Sequence, residues 1–314
     1  IGVDLHEFNP ELTLVPGQSF NWQRLGDDKM WVGIVDTHPL IFAQEGSTNR
    51  VASLDGSLSG EELMSLVREY LQLDIALTEL YATWSTCCPR MKVVAAALPG
   101  IRLLNQNPWE CLMSFIFSSN NNIKRITKGL GSLRSKYGNY SCSVWKFSAL
   151  WGNTVEYTLS VGVIVTLAAR RLGYRAKFIV GTTRIVREKG VEWLLGMRSR
   201  DRAAVQNDLI SLPGVGRKVA DCVALFSMKQ CEAVPIDTHV WDIVLRDYSS
   251  YIPKQSESNA LAGKQKETKT LTPFVYDRIG DAFRGQFMHH AGWAHSVLFA
   301  AELPDLRILL PQSM

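Results

Sequence analysis

The sequence predicts an α+β fold: an N-terminal twisted antiparallel sheet with packed helices, then a mostly helical domain. Three observations predict it. Up to about Thr48, β-branched and aromatic runs are broken by Asp-Asp and Thr-His-Pro turns. Ser59-Gly-Glu-Glu62 has the form of a helix capping box. Beyond Leu98, apolar residues recur mainly at helical spacing between short polar joints.

Taken in order, "LTLV" (Leu12–Val15), "GQSFNWQ" (Gly17–Gln23) and "KMWVGIVDTHPLIFAQE" (Lys29–Glu45) read as strands. After the capping box, Leu63, Leu66, Val67, Tyr70 and Leu71 lie on one helical face, so the sheet receives a helix. These elements make a first domain over residues 1–98 and leave 99–314 to the second. There, segments from Asn107-Pro108, around Val186 and from Arg217 read as amphipathic helices. Ser249–Thr272 is polar and lysine-rich and reads as a surface loop, because patterned sequence resumes after it. "HHAGWAHSVLFAAEL" reads as a helix stopped by Pro304.

Composition narrows the function classes. The chain has 314 residues, 46% of them hydrophobic, and a formal net charge of only +4. That permits a polyanionic partner but excludes binding by bulk charge alone, so specific residues must carry recognition. Its six cysteines include no C-x2-C pair, and no histidines stand at zinc-finger spacing, which predicts a reduced intracellular protein. The strongly apolar run Leu159–Ala169 is too short to span a bilayer, so no membrane partner is expected. The chain opens on Ile1 and is expected to continue upstream, where a targeting segment would lie.

The chemistry concentrates in "SLPGVGRKVADCVALFSMKQCEAVPIDTHVWD", Ser211–Asp242. Pro213 fixes a turn, while Gly214 and Gly216 let the backbone approach whatever it faces. A helix starting near Arg217 then aims bare N–H groups outward, as donors for phosphate. Lys218 falls in its first turn, where the macrodipole disfavours an ammonium and favours the nucleophilic amine. Asp237 follows Pro235 and is placed to cap the next helix as an ionised carboxylate, with His239 in that helix's first turn. Singly, each has an ordinary explanation: a turn, a surface lysine, a cap, a surface histidine. Together they suit displacement at a sugar C1′, where developing positive charge needs a nearby anion.

"LPGVGRKVADC…AVPIDTHVW" resembles the helix-hairpin-helix, Gly/Pro-Asp motif of base-excision DNA glycosylases, here over about 205–247. "PGQSFNW" (Pro16–Trp22), "NPWECLMSFIFSSNNNIKRI" (Asn107–Ile126), "LGYRAKFI" (Leu172–Ile179) and "AGWAHSVLF" (Ala291–Phe299) are similar to the eukaryotic 8-oxoguanine DNA glycosylases. The resemblance runs from about residue 8 to 303. It implies a bifunctional glycosylase and abasic-site lyase, acting on duplex DNA with an oxidised purine. It also implies a monomer of nuclear and also mitochondrial address, needing no cofactor and carrying no iron–sulfur cluster.

By the same resemblance, Lys218 would be the Schiff-base nucleophile and Asp237 the charge stabiliser. The Gly17 carbonyl would accept the N7 hydrogen that distinguishes 8-oxoguanine from guanine. Cys222 and Phe299 would stack the extruded base, with Phe226 lining the pocket. Asn120, Arg125, Tyr174 and Arg175 would fill the gap and read the orphaned cytosine. Gly214, Gly216 and His239 would hold phosphate, and the carbonyls of Ile210, Leu212 and Val215 would hold a structural cation. The pattern departs at His295, where the family usually has glutamine, and at Phe226, where methionine is common. Trp151–Ala169 lacks the acidic helix expected before "LGYRAKF". An imidazole accepts a hydrogen bond only when neutral, so with an ordinary pKa near ~6.5 His295 is expected to lose that role on mild acidification, burial lowering the value and a nearby carboxylate raising it. Two alternatives stay open: a glycosylase for another oxidised purine, motivated by His295, and a module that only grips DNA backbone.

Overall fold

Asn9 and Pro10 decide how the chain begins. The Asn9 side chain accepts Leu12 N–H at 3.3 Å and Pro10 takes the first helical position, so Pro10–Leu14 is a helix, α1. Its alternation predicts a strand, and capping together with a tertiary anchor overrides it: the Thr13 hydroxyl donates to Gly100 O at 3.0 Å. Gly100 has φ +80°, and a Cβ there would lie 2.0 Å from Leu5 O, so this crossing requires glycine. The computed structural model describes residues 3–137, 139–141, 144–146, 173–247 and 271–311. The Trp151–Ala169 segment, the Ser249–Thr272 loop up to residue 270 and the His239 side chain lie outside the described residues.

The sheet is antiparallel in sequence order: β1 (Gln23–Arg24), β2 (Met30–Val35), β3 (His38–Glu45) and β4 (Thr48–Ser53). Strands β2 and β3 close on a tight turn with Val35 opposite His38 and Asp36 at φ 53°. β4 extends the sheet beyond the expected limit at Thr48. "GQSFNWQ" contributes only Gln23 to it, because its side chains serve the interior: Gln18 Nε2 donates to Thr13 O (2.9 Å) and Arg102 O (2.7 Å). Helix α2 (Gly60–Tyr70) starts on the capping box, Ser59 N–H donating to Glu62 Oε2 at 2.8 Å and Glu62 N–H to Ser59 Oγ at 3.3 Å. Its Val67 and Tyr70, with Leu71, pack on Trp22, Trp31, Leu40 and Phe42.

The larger core is helical. Helices α3 (Leu77–Cys87) and α4 (Pro89–Ala97) precede Leu98, yet their Leu77, Trp84, Met91 and Val94 bury with Leu112, Val205, Ala220 and Trp293. Around that core follow α5 (Pro108–Ser118), α6 (Ile123–Tyr137), α7 (Arg175–Lys189), α8 (Val191–Gly196) and α9 (Arg202–Ile210). A short hairpin of strands, β5 (Asn139–Ser141) and β6 (Val144–Lys146), follows α6. The chain continues through α10 (Arg217–Ser227), α11 (Thr238–Asp247), α12 (Pro273–Phe287), α13 (Ala291–Ala300) and α14 (Pro304–Arg307). Asn107 caps α5 as its position suggests, accepting Trp109 N–H at 3.0 Å. Val186 lies late in α7, in a buried stripe with Ala176, Ile179, Thr182 and Thr183, and does not start a helix.

Arg102 joins the two cores. Its side chain is 1% exposed and donates to Leu71 O (2.8 Å), Glu7 O (2.8 Å), Glu7 Oε2 (2.9 Å), Gln72 O (2.9 Å) and Ile75 O. The Glu7 carboxylate also accepts Leu77 N–H and Thr78 N–H, both at 2.9 Å, and so caps α3 from a distant point of the sequence. Burial penalises the Glu7 charge, but the hydrogen bonds from Thr78, Leu77 and Arg102 outweigh it and hold the carboxyl below its ordinary pKa.

Candidate active site

The hairpin between α9 and α10 turns at Gly214, whose φ is +80° and whose absent Cβ would lie 2.5 Å from Phe178 on α7. Gly216 is the N-cap of α10 and offers no side chain to the first turn. Among the described residues no side chain caps the first-turn amides, and a Cβ on Gly216 would meet nothing within 4 Å, so that side of the loop suits an external acceptor. The hairpin is thus packed against α7 on one side and bare on the other.

Lys218, in the first turn, sets its Nζ 5.4 Å from the centre of the Phe115 ring on α5. Phe115 stacks on Phe226 (5.5 Å, 17°) and meets Phe20 edge-on at 5.9 Å. Cys222, one turn along α10, is 3% exposed; burial pushes its thiol up to about 11, the Lys218 charge opposing and Asp237 assisting. It therefore stays a thiol at neutral pH and serves as a wall, not a nucleophile. Asp237 caps α11 as its position predicts, its Oδ1 accepting Val240 N–H at 3.0 Å.

His295, on α13, closes the group. It is 5% exposed, stacks on Phe299 (6.3 Å, 20°) and meets Phe283 edge-on at 5.8 Å. Burial lowers its pKa to about 4; Asp237 and the nearby Pro235 carbonyl oppose that, and Lys218 adds to it. The carbonyl does not reach hydrogen-bond geometry, and neither ring nitrogen has a hydrogen-bond partner among the described residues. Of the two opposing influences expected, burial prevails: the ring is neutral at neutral pH and its titration lies below the mildly acidic range, because an apolar pocket disfavours the charged form. Lys218, Cys222, Phe226, Asp237, His295 and Phe299 thus form one group drawn from α10, α11 and α13.

A second group sits at the end of α5. Arg175 donates from Nε to Ser119 O (3.0 Å) and from an Nη to Asn120 O (2.8 Å), and its guanidinium lies 4.7 Å over the Tyr174 ring. The Tyr174 hydroxyl donates to Ser119 O at 3.1 Å, and Asn120 itself is left-handed at φ 49°. Gly17, at φ +95°, is pressed against Ile123, where a Cβ would lie 2.7 Å from Ile123 Cδ1. Asn120, Tyr174 and Arg175 are therefore brought together, with Gly17 beside the start of α6. Arg125 stands exposed on α6. Helix α5 links the groups through Phe115 and Ser118, and α7 links them through Phe178, which meets Tyr174 edge-on at 5.8 Å.

Sequence reasoning missed Phe115, over which the Lys218 amine lies, and Phe20, which packs on it, as well as Asp221 with its buried partners. A charge inside the apolar run "VADCVALF" was the available signal for Asp221. Ile210 closes α9, and Leu212 O in the hairpin accepts Val215 N–H at 3.1 Å. Among the described residues there is no group of three or more His, Cys, Asp or Glu able to hold a metal, and no helix long and apolar enough to cross a membrane.

Comparison with known proteins gives the family and the fold. Residues 1–112 match the family described as 8-oxoguanine DNA glycosylase, N-terminal domain. The N-glycosylase/DNA lyase OGG1 of Arabidopsis thaliana is 35% identical over 308 residues, covering 97% of this chain and 80% of the relative. The N-glycosylase/DNA lyase of Saccharomyces cerevisiae is 31% identical over 316 residues, covering 92% and 82%. Among solved structures, the Clostridium acetobutylicum 8-oxoguanine glycosylase/lyase, in complex with duplex DNA containing cytosine opposite 8-oxoguanine, superposes with a TM-score of 0.72. It shares 24% identity, over 95% of this chain and 92% of that one, and supports the fold.

Proposed function

The chain belongs to the 8-oxoguanine DNA glycosylase family, and we propose that it removes 8-oxoguanine from duplex DNA and cleaves the resulting abasic site through Lys218. The observation that carries this reading is the meeting of the Lys218 amine, the Asp237 carboxylate and the buried, neutral His295 behind a glycine hairpin with bare amides.

The steps follow from the residues. Phosphate docks on the α10 amides opened by Gly214 and Gly216, with His239 as a further phosphate contact. The damaged nucleotide leaves the stack and enters between Cys222 and Phe299, while Asn120, Arg125, Tyr174 and Arg175 occupy the vacated strand and face the orphaned cytosine. The Gly17 carbonyl accepts the N7 hydrogen of 8-oxoguanine, and a neutral His295 nitrogen accepts from its Watson–Crick edge. The Lys218 amine then attacks C1′, forming a C–N bond as the bond to the base breaks. The base leaves with the electron pair, and Asp237 stabilises the positive charge on the sugar. Loss of an amine proton and ring opening give a Schiff base, from which β-elimination breaks the C3′–O bond. Carbonyls of Ile210, Leu212 and Val215 would hold a structural cation, which would supply positive charge at the hairpin. Leu212 O fits such a role because a carbonyl has two lone pairs and Val215 N–H takes one.

The test is borohydride trapping on duplexes carrying 8-oxoguanine opposite each base. The wild type is expected to form the adduct fastest opposite cytosine. Lys218→Gln should form none and bind duplex as before. An adduct with Lys218→Gln removes Lys218 from its role, and absence of any adduct with the wild type removes the lyase reading.

A further inference from the structure

Asp221 stands three residues after Lys218 on α10, is 2% exposed and has no part in the steps above. Its Oδ1 accepts Gln206 Nε2–H at 2.7 Å, and its Oδ2 accepts the Tyr276 hydroxyl at 2.6 Å. The Tyr276 oxygen in turn accepts Ile236 N–H at 3.3 Å, with Val234 O also 3.3 Å away as the weaker alternative for the phenol proton. Residues 233–237 belong to no helix or strand, so no ladder fixes the backbone that leads into Asp237. The connection runs from α10 through a carboxyl, a phenol and one amide to the residue immediately before Asp237.

We propose that Asp221 and Tyr276 are positioning residues that clamp the Ile236 backbone to α10 and thereby hold the Asp237 carboxylate in place relative to the Lys218 amine on that same helix. The proposal rests on the reading of Asp237 as the group that stabilises charge at the sugar. A buried carboxyl is a poor device for stability alone, since well-packed apolar side chains generally do as well or better. Its use here is geometric: Lys218 and Asp237 come from different elements, and a displacement of about 1 Å between reacting groups can cost on the order of 10²-fold in rate. Burial raises the Asp221 pKa above its ordinary value, against the Tyr276 and Gln206 hydrogen bonds, which makes those partners the condition for keeping the group inside.

Single-turnover excision of 8-oxoguanine separates positioning from packing. Tyr276→Phe keeps the ring and removes the clamp, and is expected to slow excision roughly tenfold while duplex affinity stays within about twofold. In an Asp237→Asn background the same change should slow nothing further, because the clamp acts through that carboxylate. Asp221→Ala should reproduce Tyr276→Phe. Asp221→Asn keeps a hydrogen-bonding atom toward both Gln206 and Tyr276 and should restore most of the rate. If Asp221→Ala does not fold, Tyr276→Phe and Asp221→Asn still decide. Equal slowing by Tyr276→Phe in both backgrounds, or none in the wild type, overturns the clamp while Asp237 keeps its role. If Asp237→Asn alone excises at the wild-type rate, the reading of Asp237 falls and the clamp with it.

Discussion

The pocket around Lys218, reached at Phe115, and the edge around Ser119 lie about one turn apart at the C-terminal end of α5 and are built by opposite means. In the pocket, apolar contact fixes the walls: Phe115 stacks on Phe226, His295 on Phe299, and Cys222 is held as a thiol by burial. At the edge, backbone carbonyls do that work, Ser119 O and Asn120 O gathering the donors of Arg175 and Tyr174. Tyr174 is 47% exposed there, whereas Phe226 is 7% exposed. The contrast separates two tasks. A pocket for a damaged base must exclude water and keep charges in defined places, while an edge that meets an orphaned base must offer donors it can release and re-aim. Groups in the pocket should therefore govern rate, and groups at the edge should govern the choice of opposite base.

The sharpest test of that division is Asp237→Asn. Asn caps a helix about as well as Asp, so the Val240 N–H keeps its acceptor and the change in melting temperature should be small. Excision should fall roughly 10²-fold, the scale of removing one electrostatic stabiliser from a transition state. Single-turnover rates beside thermal melts check it, and parallel losses of rate and stability would make Asp237 a cap and nothing more.

Arg175→Ala should act on the other side of the comparison and more weakly. Its guanidinium is engaged with Ser119 O and Asn120 O in this structure, so reading cytosine requires trading those carbonyls for the base's O2 and N3. Removing it is expected to reduce the preference for cytosine over adenine roughly tenfold, the worth of about one charge-assisted hydrogen bond. The rate of the chemical step opposite cytosine, once bound, should hardly change. Excision time courses on the two duplexes decide; an unchanged preference places opposite-base reading elsewhere on the edge.

The two regions also differ in how far the sequence discloses them. Asp237 as a cap, the turn at Gly214 and the Ser59 capping box are local events, set by residues a few positions apart, and each is read directly from the chain, whereas the β2–β3 turn is read too late, because His38 and Pro39 already pair in β3. The α1 helix was not, because "LTLV" alternates like a strand and only Asn9, Pro10 and the distant Gly100 contact overrule it. The pairing of α3 and α4 with the helical core, the five-donor use of Arg102 and the Asp221–Tyr276 contact are long-range for the same reason. Tertiary partners leave no period in the sequence. His295 shows the limit most sharply: its place is given by "AGWAHSVLF", but its charge state depends on what buries it.

His295→Gln is therefore the smallest expected effect, and its sign depends on pH. At neutral pH the imidazole is uncharged, since burial holds its pKa at about 4, and a neutral imidazole and a glutamine each supply an acceptor. Lesion binding by His295→Gln should stay within about threefold of the wild type there, under ~1 kcal/mol. The difference opens in acid. A catalytically dead Lys218→Gln protein isolates binding, but it also removes the positive charge that helps depress the His295 pKa, leaving burial opposed by Asp237 and the Pro235 carbonyl. The titration in that protein should move up from about 4 toward, without reaching, the ordinary value near 6.5. Its lesion binding should be flat above about pH 6.5 and weaken below it, and adding His295→Gln should remove that dependence. Stability provides an independent readout with a fixed sign. As pH falls from 6.5 toward 4 the unfolded chain takes up a proton that the folded pocket refuses, so the wild type should lose stability across this window and His295→Gln should lose less. Coincident pH profiles of binding for Lys218→Gln with and without His295→Gln, alongside diverging melts, would leave His295 as a buried spacer between Phe283 and Phe299 that does not read the base.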